Sequence, residues 1–340
     1  MATSGDTPNP TQTPDAFTAP ALEPAMPDRI LLPPPAVAPP ETPPRQQRSW
    51  LDYLLVAVVL GFAFLAGSFP AHNSDLWLHL ATGRDLAAGK VHFGVDPYSQ
   101  GAQGVYWVNT HWLYDLITYA VFQGFGGIEG RGGSALILLK ALMATLLAVV
   151  MLRLGWRRGG LWASAVGAAL AVLALSPWLA PHPMIVSYLF LALTLYFLER
   201  PHTSRPDEEN GEWAAKPISF IAYWPLLPLF ILWVNLDSWF LLGPLTVALV
   251  LLGQVLQANY GPSRDDPEAF RLGETAALVQ VLAACLAVCL INPFGVYAFL
   301  TPPAQLGLFP AMSVLQHDSA FRGLLMSPFE ADYLRPGLGW

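Results

Sequence analysis

The sequence predicts an all-α fold, a polytopic transmembrane bundle of about seven spans with two interfacial helices in its first outer loop. Three observations predict it. Hydrophobic residues make up 54% of the 340-residue chain and charged residues only 12%, about half the ~25% of soluble domains. Apolar stretches alternate with short charged loops, and most approach the ~20 residues that a helix needs to cross ~30 Å of hydrocarbon. Lysine and arginine fall unevenly between the two sets of loops, as they do where a bilayer sorts them.

Taken in order, residues 1–48 are a separate material. Thirteen of the first 47 residues are proline, so this tail cannot bury enough apolar surface to offset its ordering entropy, and disorder or local polyproline II is expected. It lacks the charged start and adjacent apolar core of a signal peptide. Residues 49–340 are expected to form one transmembrane domain, with spans at 51–69, 134–152, 160–178, 183–199, 218–235, 239–257 and 274–291. An eighth stretch, 111–126, is short, carries Asp115 and ends among Gly124, Gly126 and Gly127.

Positive charge decides whether that stretch crosses. If it does not, Arg45, Arg48, Arg153, Arg157, Arg158, Arg200, Arg205, Lys216, Arg264 and Arg271 share the amino-terminal side. The opposite side keeps Arg84, Lys90, Arg131, Arg322 and Arg335, a ratio of ten to five. The positive-inside rule then puts the amino terminus in the cytoplasm and makes 70–133 one large outer loop. Six of the seven histidines fall on the outer side, with the motifs Asn73–His79, Asn109–Trp112, Pro181–Pro183, Asn235–Ser238 and Gln316–Asp318.

Within the outer loop, a helix is expected from about Asp75 to Ala88, capped by Ser74. Asp75, His79 and Thr82 share one stripe, while Leu76, Trp77 and Leu80 face lipid or the bundle. A second helix is expected from about His111 to Phe125, capped by Asn109 or Thr110, with His111 and Asp115 one turn apart and an aromatic band suited to an interface. Val95–Ser99 reads as a turn. Cys285 and Cys289 lie one helical turn apart in an apolar span and read as small core side chains; two ligands do not make a zinc site.

The net charge of −7 resides mainly in loops and tail, and without a long basic run no nucleic-acid partner is expected. The run Asp75-Leu76-Trp77-Leu78-His79-Leu80-Ala81-Thr82-Gly83, then Asp96-Pro97-Tyr98-Ser99, His111-Trp112-Leu113, Trp233-Val234-Asn235-Leu236 and Asn292-Pro293-Phe294-Gly295 resembles bacterial membrane proteins near the GT-C superfamily of polytopic glycosyltransferases. The resemblance covers about residues 50–330. It implies transfer of a sugar from a polyprenyl-phosphate donor at the outer face of a bacterial cytoplasmic membrane, with inversion at the anomeric carbon. By position Asp75 matches the superfamily's catalytic acid, a general base toward the acceptor, and Asp96 is the second candidate.

The leaving lipid phosphate needs positive charge, for which Lys140 is the candidate. It lies six residues into its expected span, about 9 Å below the outer end, where a lysine is costly and faces a cavity or partner. Arg131 is a further phosphate candidate, and His79, His111, His182 and Asp237 are candidate substrate contacts. The histidine and aspartate set suits a divalent cation, but no fixed ligand spacing supports a metal or any other cofactor. The chain ends at Trp340 without a closing span and is expected to be incomplete at its carboxyl end. Related proteins carry His-Gly where this chain has Asp237-Ser238. The competing class is a non-catalytic transporter or assembly subunit on the same scaffold. A transporter would show inverted repeats and broken midplane helices.

Overall fold

A computed structural model describes residues 49–70, 75–98, 106–199, 204–206, 213–215, 219–260 and 272–301. The chain divides into two units, Met1–Gln47 and Arg48–Trp340. The whole tail unit lies outside the described residues, and so do Ser74 and the Gln316–Asp318 motif.

The second unit is mostly helical. Its helices are α1 (Trp50–Gly67), α2 (Asp75–Ala87), α3 (Trp112–Gly124), α4 (Gly132–Gly159), α5 (Leu161–Leu175), α6 (Met184–Leu198), α7 (Leu226–Leu236), α8 (Leu242–Tyr260) and α9 (Leu272–Val288). Among the described residues, four helical segments are long and apolar enough to cross a membrane: Trp50–Gly67, Gly132–Trp156, Leu161–Trp178 and Ser238–Gln257. Met184–Leu198, Phe220–Leu236 and Thr275–Val288 are shorter apolar helices. These seven segments coincide with the seven stretches expected to cross. Helix α3 has 13 residues, about 20 Å at 1.5 Å per residue, and is not among the four.

Local chemistry explains several boundaries. Ser49 and Asp52 form a reciprocal capping box at the start of α1, with Asp52 accepting from the Ser49 N–H at 2.9 Å. This satisfies amide donors that the first turn leaves unpaired. The N-cap of α3 is His111, whose side chain makes no capping bond. The expected caps do not sit there: Asn109 instead accepts the His111 N–H at 3.0 Å, one turn earlier. The expected turn at Val95–Ser99 is partly extended. Gly94–Val95 (β1) pairs antiparallel with Tyr106–Trp107 (β2), and Asp96 then accepts the Tyr98 N–H at 2.8 Å. A second hairpin pairs Ser204–Pro206 (β3) with Trp213–Ala215 (β4).

Helix α4 packs on α1, α5 and α6, α2 packs on α3, and α3 bridges to α4 and α7; α7 and α8 both meet α6 and α9. The largest core cluster gathers Phe230, Trp233, Phe240, Leu278 and Val281 with Cys285 and Cys289, so both thiols are packing groups. A smaller cluster joins Tyr114, Ala144, Leu179, Ile185, Val186 and Leu236 beneath the polar residues described next. Two glycines permit the closest helix contacts. A Cβ on Gly67 would stand 2.6 Å from the Ala141 Cα, and one on Gly83 would stand 2.1 Å from the Asp115 carbonyl oxygen.

Candidate functional site

Four segments remote in sequence meet at one end of the helical unit: the middle of α2, the start of α3, the turn before α6, and the end of α7. Each carries polar groups that an apolar helix would not hold without partners. The contact of α2 with α3 across Gly83 sets the first pair. His79 Nδ1 lies 2.6 Å from Asp115 Oδ1, and Asn109 donates its amide to Asp115 Oδ2 at 2.9 Å. His79 and Asp115 are both buried. A carboxylate offers only lone pairs, so in the neutral imidazole Nδ1 carries the proton and Nε2 is the acceptor.

The second pair joins α3 to the turn after α7. His111 Nδ1 stands 3.4 Å from Asp237 Oδ1. Asp237 is held by the Ser187 hydroxyl and by the Ser238 N–H at 2.8 Å, and Ser187 in turn accepts the Trp233 indole N–H at 2.7 Å. Burial pushes the Asp237 carboxyl up, against the Ser187 hydrogen bond and the charge of His182. It pushes His111 down to about 4, opposed by the charge of Asp115 and reinforced by those of His79 and His182. His111 is therefore neutral at pH 7.

His182 completes the cluster. Its ring centroid lies 5.6 Å from that of His79 and 6.4 Å from that of His111, while His79 and His111 are 6.0 Å apart. The Met184 N–H points at His182 Nδ1 at 3.3 Å, which leaves the ring proton on Nε2 in the neutral form. Burial and the nearby His79 lower its pKa, and the charges of Asp237 and Asp75 raise it. Among the described residues, two of the buried side-chain polar atoms without a hydrogen-bond partner belong to this cluster, His79 Nε2 and His111 Nδ1, and a third, Thr110 Oγ1, is on the residue before His111. Each such atom costs about 1–3 kcal/mol. No group of three His, Cys, Asp or Glu among the described residues is arranged to hold a metal ion.

The remaining candidates divide. Asp75 is the exposed first residue of α2, one turn before the buried His79, and its charge acts on His182. Asp96 is half-buried in its turn after β1. Lys140 is buried and donates from Nζ to the Phe69 carbonyl at 2.6 Å, with no ion-pair partner among the described residues. It lines a cavity of about 660 Å³ with Phe62, Leu65, Phe69, Leu173 and Leu179. Leu65 and Leu173 are exposed, so this cavity faces out of the bundle. Arg131 is exposed at the start of α4. Helix α3 lies between it and His111, a separation along that helix of about 20 Å, and Arg131 joins neither the cluster nor the cavity.

Asp115, Asn109, Ser187 and Trp233 carry the site's hydrogen bonds but were not among its expected members. For Asp115 a signal was present: a carboxylate in a short apolar helix needs a partner. That partner lies on α2, where spacing along α3 gives no indication. Comparisons of the chain with protein-family models, with curated proteins and with solved structures gave no match.

Proposed function

We propose that this protein is a membrane glycosyltransferase of the GT-C kind, transferring a sugar from a polyprenyl-phosphate donor at the outer face of a bacterial cytoplasmic membrane. The observation that carries the reading is the buried histidine–carboxylate cluster, built from four segments at the end of the unit where Lys140 lines an apolar cavity. In this reading all seven apolar helices cross, the amino terminus is cytoplasmic, and residues 1–48 are a tail preceding one domain at 49–340. Helices α2 and α3 lie in the outer interface, anchored by exposed Trp77, Ile117 and Phe125.

The chemistry has two needs. The donor's lipid chain lies against the apolar wall of the cavity, and its phosphate takes the two remaining donors of the Lys140 ammonium. The acceptor's hydroxyl oxygen then attacks the anomeric carbon. Its proton passes to a base, the anomeric carbon–oxygen bond breaks, and the electron pair leaves with the phosphate. Asp75 is a catalytic carboxylate that stabilises positive charge developing on the sugar. His111, His182 and Asp237 contact the acceptor or the sugar, Asp96 is the second candidate carboxylate, and Arg131 contacts lipid headgroups. A transporter or an assembly subunit is the second reading. Polar groups collected at one end of the helices, rather than at mid-membrane, favour the transferase over a transporter.

Lipid extraction of the purified full-length protein, followed by mass spectrometry, tests the donor class. Polyprenyl phosphate or its glycosylated form should co-purify with wild type and fall at least tenfold in Lys140→Gln. Equal recovery from both proteins would remove the Lys140 cavity as the donor site.

A further inference from the structure

We infer that His79, rather than Asp75, is the base of this site: its Nε2 accepts the proton of the attacking hydroxyl, and Asp115 is the residue that positions it. The inference rests on the transferase reading for the identity of that hydroxyl. The geometry behind it is independent of any substrate. An imidazole is useful as a base when one nitrogen holds its proton firmly and the other presents a lone pair. Asp115 accepts the Nδ1–H hydrogen bond at 2.6 Å, and Asn109 donates to the other carboxylate oxygen at 2.9 Å. Nε2 is enclosed and has no hydrogen-bond partner among the described residues. The rings of His111, His182 and Tyr114 stand around that imidazole at centroid distances of 6.0, 5.6 and 5.4 Å.

These neighbours suit a proton acceptor. His111 is neutral at pH 7, and its Nδ1 faces Asp237 Oδ1 at 3.4 Å. His182 presents an N–H, because its Nδ1 accepts from Met184. In the transferase reading a hydroxyl that reaches His79 Nε2 finds its acceptor there and a donor at His182 Nε2. Asp75 is exposed at the helix start, and water around an exposed carboxylate weakens it as a base toward a substrate proton. In the transfer step the hydroxyl O–H bond breaks toward His79 Nε2 as the oxygen–carbon bond forms. The imidazolium left behind is stabilised by Asp115 until it releases the proton to water.

Two measurements test this on the intact protein. The first is the nitrogen-15 spectrum of histidine-labelled wild type at pH 8, with His79→Gln used to assign the signal. The expected result is a protonated Nδ1 and an unprotonated Nε2 at His79, with the proton redistributed toward Nε2 in Asp115→Ala. A protonated Nε2 in wild type overturns the inference whatever the activity. The second is the pH profile of turnover with a radiolabelled polyprenyl-phosphate hexose. His79→Gln should lose about 10²–10⁴-fold in kcat together with the acid limb of the profile, whereas Asp75→Asn should lose rate and keep that limb. An acid limb retained in His79→Gln and lost in Asp75→Asn returns the base to Asp75. Absence of wild-type turnover with the donor would count against the transferase reading, and the spectrum would still decide the assignment of His79.

Discussion

His79 on α2 and Asp115 on α3 meet at 2.6 Å, 36 residues apart in sequence, at the point where Gly83 lets the two helices touch. His111, one turn before Asp115 on α3, approaches Asp237 beyond α7 instead, at 3.4 Å. Helix α3 therefore supplies one member to each of two histidine–carboxylate pairs. It ties α2 to the end of α7, and the site depends on how closely these helices pack.

Gly83→Ala tests that dependence. Its Cβ would fall 2.1 Å from the Asp115 carbonyl oxygen and 2.6 Å from the Tyr119 Cβ, so backbone must move. Overpacking of this kind costs about 1–3 kcal/mol, and Tm in detergent should fall accordingly. Gly61→Ala is the control: none of the described residues lies within 4 Å of a Cβ there, and removing a mid-helix glycine should be neutral or stabilising. Equal Tm values for the two variants would mean that α2 and α3 do not pack as described.

The cluster also makes stability depend on pH. Burial lowers the pKa of His111 to about 4 and lowers that of His182, whereas both titrate near 6.5 in the unfolded chain. The unfolded state thus binds more protons below about pH 6.5, so their contribution is complete above that pH and is lost as pH falls toward the folded values. Asp237, whose pKa is raised, acts in the opposite sense from about pH 3.8 upward. With two histidines against one carboxyl, Tm should drop between pH 7.5 and pH 5. His111→Gln should flatten that slope, and an unchanged slope would count against the burial of His111.

Much of the helical fold was legible in the sequence, because apolar length is a property of segments. The seven apolar stretches became helices, and the two helices of 70–133 lie within a residue or two of their expected ends. The site was legible only as a list of polar motifs. His79, His111, His182 and Asp237 could be named because polar residues between apolar spans need a reason. Their pairing could not, because it depends on contacts between helices. The i to i+4 relation suggested His111 with Asp115, whereas the contact at Gly83 gives Asp115 to His79. Asn109 was expected as a cap and instead steadies Asp115 and the turn before α3.

Arg131→Cys tests the topology. Residue 131 is exposed at the start of α4, and in the proposed arrangement it faces outward. A membrane-impermeant maleimide should label it in intact cells, while buried Cys285 and Cys289 stay unreactive. Labelling only after permeabilisation would invert the bundle and put the histidine cluster in the cytoplasm.

Lys140→Ala tests the donor site separately from the chemistry. It removes a buried ammonium beside an apolar cavity. A hydrogen bond to a charged group contributes about 1.5–3 kcal/mol, so polyprenyl-phosphate binding should weaken about 10–150-fold. The rate at saturating donor should change far less. A fall in kcat with unchanged donor affinity would show that Lys140 acts elsewhere.

The most direct measurement of the central claim is turnover by the purified full-length protein of a polyprenyl-phosphate hexose, wild type against Asp75→Asn. The account predicts release of polyprenyl phosphate and transfer of the labelled sugar by wild type. In Asp75→Asn, which keeps the size of the side chain and removes its charge, it predicts a rate lower by about 10²–10³-fold. Wild-type activity in Asp75→Asn would contradict the role of that carboxylate, and no turnover by wild type with any such donor would contradict the transferase itself.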